Sequence, residues 1–263
     1  MTLPKQTAKQ QEIVKLHYRF RFLNSNQIQK FQNHKNKRRI NSWLPDLVEK
    51  GYLNRIYDPH TFGKNTLPAV YYFGTGGIRY LKTQANLDPE VIRKLYKDKD
   101  RSDTFISDCQ LLADICLDLK AQSKNGITFN WATASDYTSS DSPFYSFGFL
   151  KELSTKLLFT KEKSNKKNYY LLETLNTTLP AYRTRKKIRT YFEFLLNYDW
   201  MEHLKTPPEI LFVCQTKDLL IRSKRFTKKL IEDEDKKSIH ISFALEDEVR
   251  KYGATANIWD EVK

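Results

Sequence analysis

Cysteine is scarce in this chain. Cys109, Cys116 and Cys214 are the only three among 263 residues, too few and too scattered for a disulfide framework. No Cys-x-x-Cys occurs, and the five histidines (His17, His34, His60, His203 and His240) form no close pairs, so no zinc site is predicted. No apolar run approaches membrane length, and the opening MTLPKQTAKQQ lacks the apolar core of a signal peptide. The expectation is a reduced, cytoplasmic protein with no membrane partner. Acid is short as well: 31 Asp+Glu stand against 45 Lys+Arg, a formal net charge of +14. What remains excludes a disordered chain, because 40% hydrophobic and 13% aromatic residues can build real cores.

The charge is unevenly placed. Residues 1–100 hold 19 Lys+Arg against 8 Asp+Glu, a net of +11, whereas the remainder holds 26 against 23, a net of +3. A basic N-terminal third argues for a polyanionic partner. Nucleic acid is favoured over an anionic membrane surface, because no long amphipathic helix with a bulky apolar face stands alone.

The densest cluster opens the stretch HKNKRRINSWLPDLVEKGYL, residues 34–53. Lys35, Lys37, Arg38 and Arg39 come first, then Ile40, Trp43, Leu44, Leu47 and Val48 at helical spacing, and Gly51 marks the end. A helix with cations in its first turns and apolar anchors in later ones can enter a DNA major groove and stay fixed to a core. A surface helix with a solvated basic end is the plainer alternative. Pro45 lies inside it and is expected to kink or split it at the Asn41 carbonyl.

Two helices precede it. Ile13, Leu16, Phe20 and Leu23 recur at helical spacing from Thr7 to about Leu23. Ser25 is a plausible N-cap for a short helix, Asn26 to Gln32. Beyond Gly51, Tyr52 to Tyr57 and Ala69 to Phe73 favour strands and flank a turn-rich loop with His60, Gly63, Lys64 and Asn65. Helix, helix, helix, hairpin reads as a winged helix-turn-helix. The same module also serves for protein docking. Short helices follow, Ile78 to Lys82 and one opened by Asp88-Pro89-Glu90. The charged run KLYKDKDRSD, residues 94–103, reads as a solvated linker, with a domain boundary near Ser102.

The second half begins with an amphipathic helix, Thr104 to Gln122, bearing Phe105, Cys109, Leu112, Ile115, Cys116 and Leu119 on one face. That face suits burial in the second domain or a homodimer contact. Strand-like runs come next: Ile127 to Ala132, Phe144 to Leu150, Thr155 to Thr160 and Tyr169 to Leu175. A basic helix, Ala181 to about Leu204, a strand, Glu209 to Cys214, a helix, Leu219 to Ile231, and a last strand, Ser238 to Phe243, complete an α/β pattern. The fold class expected is α+β: a winged helix-turn-helix over residues 1–100, then an α/β mixed-sheet domain over 101–263 of nuclease-like architecture.

Three phrases, YRFRFLNSNQIQKF (18–31), RRINSWLPDLVEKGYLNR (38–55) and AVYYFGTGGIRYL (69–81), resemble the replication-relaxation proteins of bacterial plasmids and other mobile elements. YYLLETLNTTLPAYRTRKKIRTYFEFL (169–195) is similar to that family's strand-turn-helix with a Glu, a Thr and a helix Lys. The resemblance implies a winged-helix DNA-binding domain followed by one related to the PD-(D/E)xK nuclease fold. It implies action on element DNA in replication control or mobilisation; transcriptional regulation is a further expectation, and the alternative from another class is a docking adaptor for replication or mobilisation proteins, such as a replication initiator or relaxase.

A metal-dependent nuclease of that kind needs two carboxylates for Mg²⁺ and a Lys beside the attacking water. Glu173 stands where the strand carboxylate belongs. Leu175 replaces the expected Lys, though Lys187 or Lys186 on the next helix could substitute. The upstream strand, SPFYSFGFL, carries no acid, and Asp141 and Glu152 are imperfect replacements. A degenerate domain without cofactor is therefore favoured. Glu173 serves equally well as an ion-pair partner of Arg183 or Lys187. The basic residues Arg183, Arg185, Lys186, Lys187 and Arg189 form either a second phosphate-tracking surface or a solvated face. In the leading reading, double-stranded DNA is held at its phosphates by Lys35, Lys37, Arg38 and Arg39. Its bases are read by Asn36, Asn41 or Ser42, and Lys64 touches it from the hairpin loop.

Overall fold

A computed structural model describes residues 4–197, 199–234 and 239–262. It is mixed α+β, with ten α-helices and nine strands among the described residues. None of those helices is long and apolar enough to cross a membrane. The chain forms two compact units, residues 1–117 with 138–145, and residues 118–137 with 146–263. The first crossing from one unit to the other falls after Leu117, inside a helix.

In the first unit, α1 (Ala8–Phe20) opens on a reciprocal cap, in which the Thr7 hydroxyl accepts from the Gln10 amide and the Gln10 side chain accepts from the Thr7 amide. It buries Ile13, Val14, His17 and Phe20. The helix stops short of Leu23, because Arg21 turns to φ 64° and the Phe22 amide bonds the Phe20 carbonyl at 2.7 Å. Such a tight positive-φ turn is strained for a residue with a side chain. Two contacts hold it: the Arg21 guanidinium pairs with the Asp98 carboxylate, and it lies 4.6 Å from the Phe105 ring centroid.

That contact corrects the expected linker. Asp98 is 2% exposed, paired to Arg21 and also to Arg101 at 3.6 Å. Burial raises its pKa, and the two guanidiniums partly offset the rise. The charged run is thus bolted to the end of α1, because a buried carboxylate with two cations beside it cannot remain in a solvated tether.

After the turn, β1 (Leu23–Asn24) leads into α2 (Ser25–Phe31), whose cap is Asn24 and not Ser25. Asn24 takes the role because its side chain accepts from the Gln27 amide at 2.9 Å while Gln27 accepts from the Asn24 amide, a box that Ser25 is one residue too late to form. Helix α3 (Lys37–Glu49) runs unbroken through Pro45. Pro45 and Asn41 both lie on its exposed face, so the carbonyl that loses its bond faces water.

Gly51, at φ 73°, ends the helix and starts a hairpin, β2 (Leu53–Ile56) and β3 (Val70–Phe73). The antiparallel sheet order is β1-β3-β2. Helices α4 (Thr75–Lys82) and α5 (Pro89–Leu95) follow, then a 3-10 turn, Asp98–Asp100, and α6 (Asp103–Gln122). Along α6 the stripe Cys109, Ile115, Cys116 and Leu119 is buried.

The second unit is built on a six-stranded sheet. Its strands are β4 (Ile127–Thr133), then, after a short α7 (Leu150–Leu153), β5 (Leu157–Lys163) and β6 (Lys166–Leu175). Helix α8 (Ala181–Leu196) leads to β7 (Glu209–Cys214), α9 (Lys217–Asp233) to β8 (Ile241–Leu245), and α10 (Glu246–Tyr252) to β9 (Asp260–Glu261). The order is β4-β5-β6-β7-β8-β9. The first three strands pair antiparallel, β6-β7-β8 pair parallel, and β9 closes the edge antiparallel. Central strands are mostly apolar, as burial on both faces requires: Leu171, Leu172, Ile210, Phe212, Val213 and Phe243 are at most 2% exposed, and Glu173, Thr174 and Ser242 are the buried polar exceptions.

The run Phe144 to Leu150, expected as a strand, is a 3-10 turn (Tyr145–Phe147) followed by the start of α7. The turn-forming Ser-Ser-Asp-Ser-Pro before it commits the backbone to tight turns, which overrides the β preference of its aromatics. Helix α8 ends eight residues before the expected Leu204, and a separate 3-10 turn, Asp199–Glu202, follows. The last strand starts at Ile241; Ser238, where it was expected to begin, lies outside the described residues.

Candidate nucleic-acid interface and a buried carboxylate

The basic segment at the start of α3 faces solvent. Lys35, Asn36, Lys37, Arg38, Arg39, Asn41 and Ser42 are all exposed, while Ile40, Leu44 and Leu47 on the opposite face are 0% exposed. The helix begins at Lys37, so Lys35 precedes it and Asn36 is its cap. The Asn36 side-chain oxygen accepts from the Arg38 amide at 2.8 Å, which leaves its NH₂ group for a ligand. The Ser42 hydroxyl donates to the Arg39 carbonyl at 2.9 Å and keeps its lone pairs outward. Behind the segment the His34 ring meets Trp43 edge-on at 5.3 Å, fixing the turn that delivers Lys35. No carboxylate pairs with Lys35, Lys37, Arg38 or Arg39 among the described residues. Four neighbouring cations without an acid make a locally strong positive field.

Lys64 lies on the β2–β3 loop and is exposed. The loop is shaped by Asp58, whose carboxylate accepts from the Thr61 hydroxyl and from the Thr61 and His60 amides, bonds that lower its pKa. Gly63, at φ 82°, turns the tip beside Phe62, which is 98% exposed.

The second unit places Glu173 on β6 at 0% exposure. Its Oε1 lies 3.2 Å from the Lys187 ammonium, carried by α8, and 3.8 Å from the Lys156 ammonium, just ahead of β5. Of the two partners expected for it, Lys187 reaches it; Arg183 is exposed and bonds the Tyr182 hydroxyl at 3.1 Å. Lys156 was missed by sequence reasoning. Only the register that pairs Leu157 with Leu172 brings the preceding residue beside Glu173. Lys156 is anchored further by the Thr174 hydroxyl at 2.5 Å. Below the carboxylate, Tyr191 donates to the Thr155 hydroxyl at 3.0 Å; burial and the Glu173 charge push its pKa well above 10, so it stays a neutral donor.

These residues do not suit a divalent metal. The one feature in favour is that Glu173 Oε2 has no hydrogen-bond partner among the described residues. Mg²⁺ asks for several oxygen ligands, and here a single carboxylate faces two ammonium groups that would repel it. Glu152 is exposed on α7, and no group of three or more His, Cys, Asp or Glu able to hold a metal occurs among the described residues. The thiol of Cys214 is buried on β7 and its pKa is pushed up to about 12 by burial, which keeps it protonated.

No protein-family model matches the chain, and no curated protein matches it.

Proposed function

We propose that this is a DNA-binding protein of a plasmid or other mobile element, acting in replication control, mobilisation or transcriptional regulation. The observation that carries the reading is α3, with its unpaired cations turned outward while Ile40, Leu44 and Leu47 fix the opposite face in the core. In this reading the order α1-β1-α2-α3-β2-β3 is a winged helix-turn-helix, and α3 is its recognition helix. Lys35, Lys37, Arg38 and Arg39 grip phosphates, which sets affinity and register. Asn41, Ser42 and the Asn36 NH₂ read base edges, and Lys64 meets the backbone from the wing. The resemblance to replication-relaxation proteins supplies the mobile-element setting. It also makes a homodimer, or a complex with replication or mobilisation proteins, the next assemblies to look for.

The test is a gel shift on the full chain with Arg38→Ala and Arg39→Ala together. Affinity for duplex DNA falls steeply, and losing two phosphate contacts flattens the log–log salt dependence by about 1.8. Thermal stability changes by no more than about 0.5 kcal/mol, because both side chains are exposed and unpaired. Unaltered binding ends the proposal.

A nuclease is the second reading, favoured by one observation, the Glu173–Lys187 pair joining β6 to α8. The ammonium groups crowding that carboxylate argue for a degenerate domain in which the acid bridges strand and helix. Plasmid nicking in Mg²⁺ or Mn²⁺ that vanishes in Glu173→Ala would reverse the order of the two readings.

A further inference from the structure

Residues 101–263 are close to neutral overall, but their charge is segregated. Helices α8 and α9 together carry eleven Lys and Arg against four Asp and Glu. The rest of that region holds 15 cations against 19 acids, a net of −4. The two helices are separated along the chain by β7 and pack as neighbours. Their docking is what merges two basic faces into one.

Acids quench only part of this surface. Lys187 pairs with Glu173, Arg222 with Asp218, Lys224 with Asp260, and Lys228 with Glu232 at 4.0 Å. Arg183, Arg185, Lys186, Arg189, Arg225 and Lys229 have no acidic partner among the described residues. At the join, the guanidinium carbons of Arg185 and Arg189 both lie 5.9 Å from the centroid of the Phe226 ring on α9. Drawing two like charges, four residues apart on one helix, to a single ring works against their mutual repulsion. An ordinary solvated face would let them diverge into water. Held together over an aromatic plane, they are pre-arranged for an anion with regularly spaced charges, and guanidinium forks match phosphate oxygens. On the helical repeat, Arg225 and Lys229 flank Phe226 on α9, and Lys186 sits with Arg185 on α8.

We propose that the joined faces of α8 and α9, centred on Arg185, Phe226 and Arg189, form a second nucleic-acid surface that grips the phosphate backbone of a duplex without reading its sequence. The occupant is a duplex backbone and not a lipid surface. The apolar residues of α8, Ile188, Tyr191, Phe192 and Leu195, are buried, and the only large apolar side chains that the described residues of α8 and α9 expose are Tyr182 and Ile221, too little apolar surface to enter a bilayer. This surface extends the DNA-binding reading above but does not depend on α3 being the reader.

The test measures fluorescence anisotropy of a labelled mixed-sequence duplex with the full chain over a range of salt. Two variants are used, Arg185→Ala with Arg189→Ala, and the charge reversal Lys186→Glu with Lys229→Glu; all four side chains are exposed, and circular dichroism confirms that each variant folds. Both variants weaken binding of every duplex alike, and the first flattens the log–log salt slope by about 1.8, the value for two lost phosphate contacts. Wild-type affinity and slope in both variants overturn the inference, as does tighter binding to phosphatidylserine vesicles than to the duplex. The Arg38→Ala, Arg39→Ala protein run alongside separates the two claims. Weakening only in that protein removes the α8–α9 surface and leaves the α3 reading intact. Weakening only in the α8–α9 variants does the reverse.

Discussion

His17 makes a pH-dependent contribution to stability that can be worked from its surroundings. The ring is completely buried on α1, with Nδ1 2.9 Å from the Ile13 carbonyl and its edge toward Phe73, 6.2 Å between centroids. Burial lowers its pKa from 6.5 to about 4, and the Ile13 and Tyr71 carbonyls offset only part of that. The folded state therefore holds the neutral ring, with the proton on Nδ1, while the unfolded chain binds a proton below its ordinary pKa. Because the unfolded state binds more protons between those values, stability is fully present above pH 6.5 and drains away as pH falls toward 4. The full shift of roughly 2.5 units corresponds to about 3.4 kcal/mol, of which about 2 kcal/mol is already lost at pH 5. His17→Leu removes the titration and leaves the Ile13 carbonyl its ordinary helical bond from residue 17. Urea unfolding at about pH 7.5 and about pH 5 is the assay, with wild type and variant compared at each pH so that other titrating groups cancel. The wild type should lose about 2 kcal/mol more than the variant over that interval. Equal losses, or an imidazole that titrates near 6.5 by NMR in the folded protein, would refute the reasoning.

Two further outcomes follow from packing. Glu173→Ala leaves Lys156 and Lys187 without their shared carboxylate; both are about one quarter exposed and can turn to water, so the cost should sit near the low end of the 3–5 kcal/mol typical of a broken buried pair, at about 3 kcal/mol by urea unfolding. A more stable variant would instead mark a carboxylate held for function at the expense of stability. Gly77→Ala on α4 should destabilise by more than about 2 kcal/mol, because its new Cβ would stand 2.3 Å from the Tyr52 carbonyl oxygen and 2.6 Å from Phe73 Cδ1. A melting temperature equal to wild type would show that the α3–β2 turn yields more easily than these distances allow.

Much of the element order could be read from the chain because apolar periodicity and capping residues are local. Strand β7 runs from Glu209 to Cys214 as its apolar run indicates, and α6 and α9 match their stripes to within two residues at each end. The outward face of α3 followed from the phase of Ile40, Leu44 and Leu47 against the cations before them, and Pro45 did not disturb it because the missing bond lies on the wet side. What the sequence could not reveal depends on contacts between distant segments. Asp98 looked like one charge in a tether until the turn at Arg21 brought a guanidinium from 77 residues away onto it. Lys156 became the neighbour of Glu173 through a strand register, and the basic faces of α8 and α9 became one surface through helix docking. Burial and register are set by the summed packing of the whole unit, so the same lysine or aspartate reads alike in the sequence whether it ends in solvent or against an opposite charge.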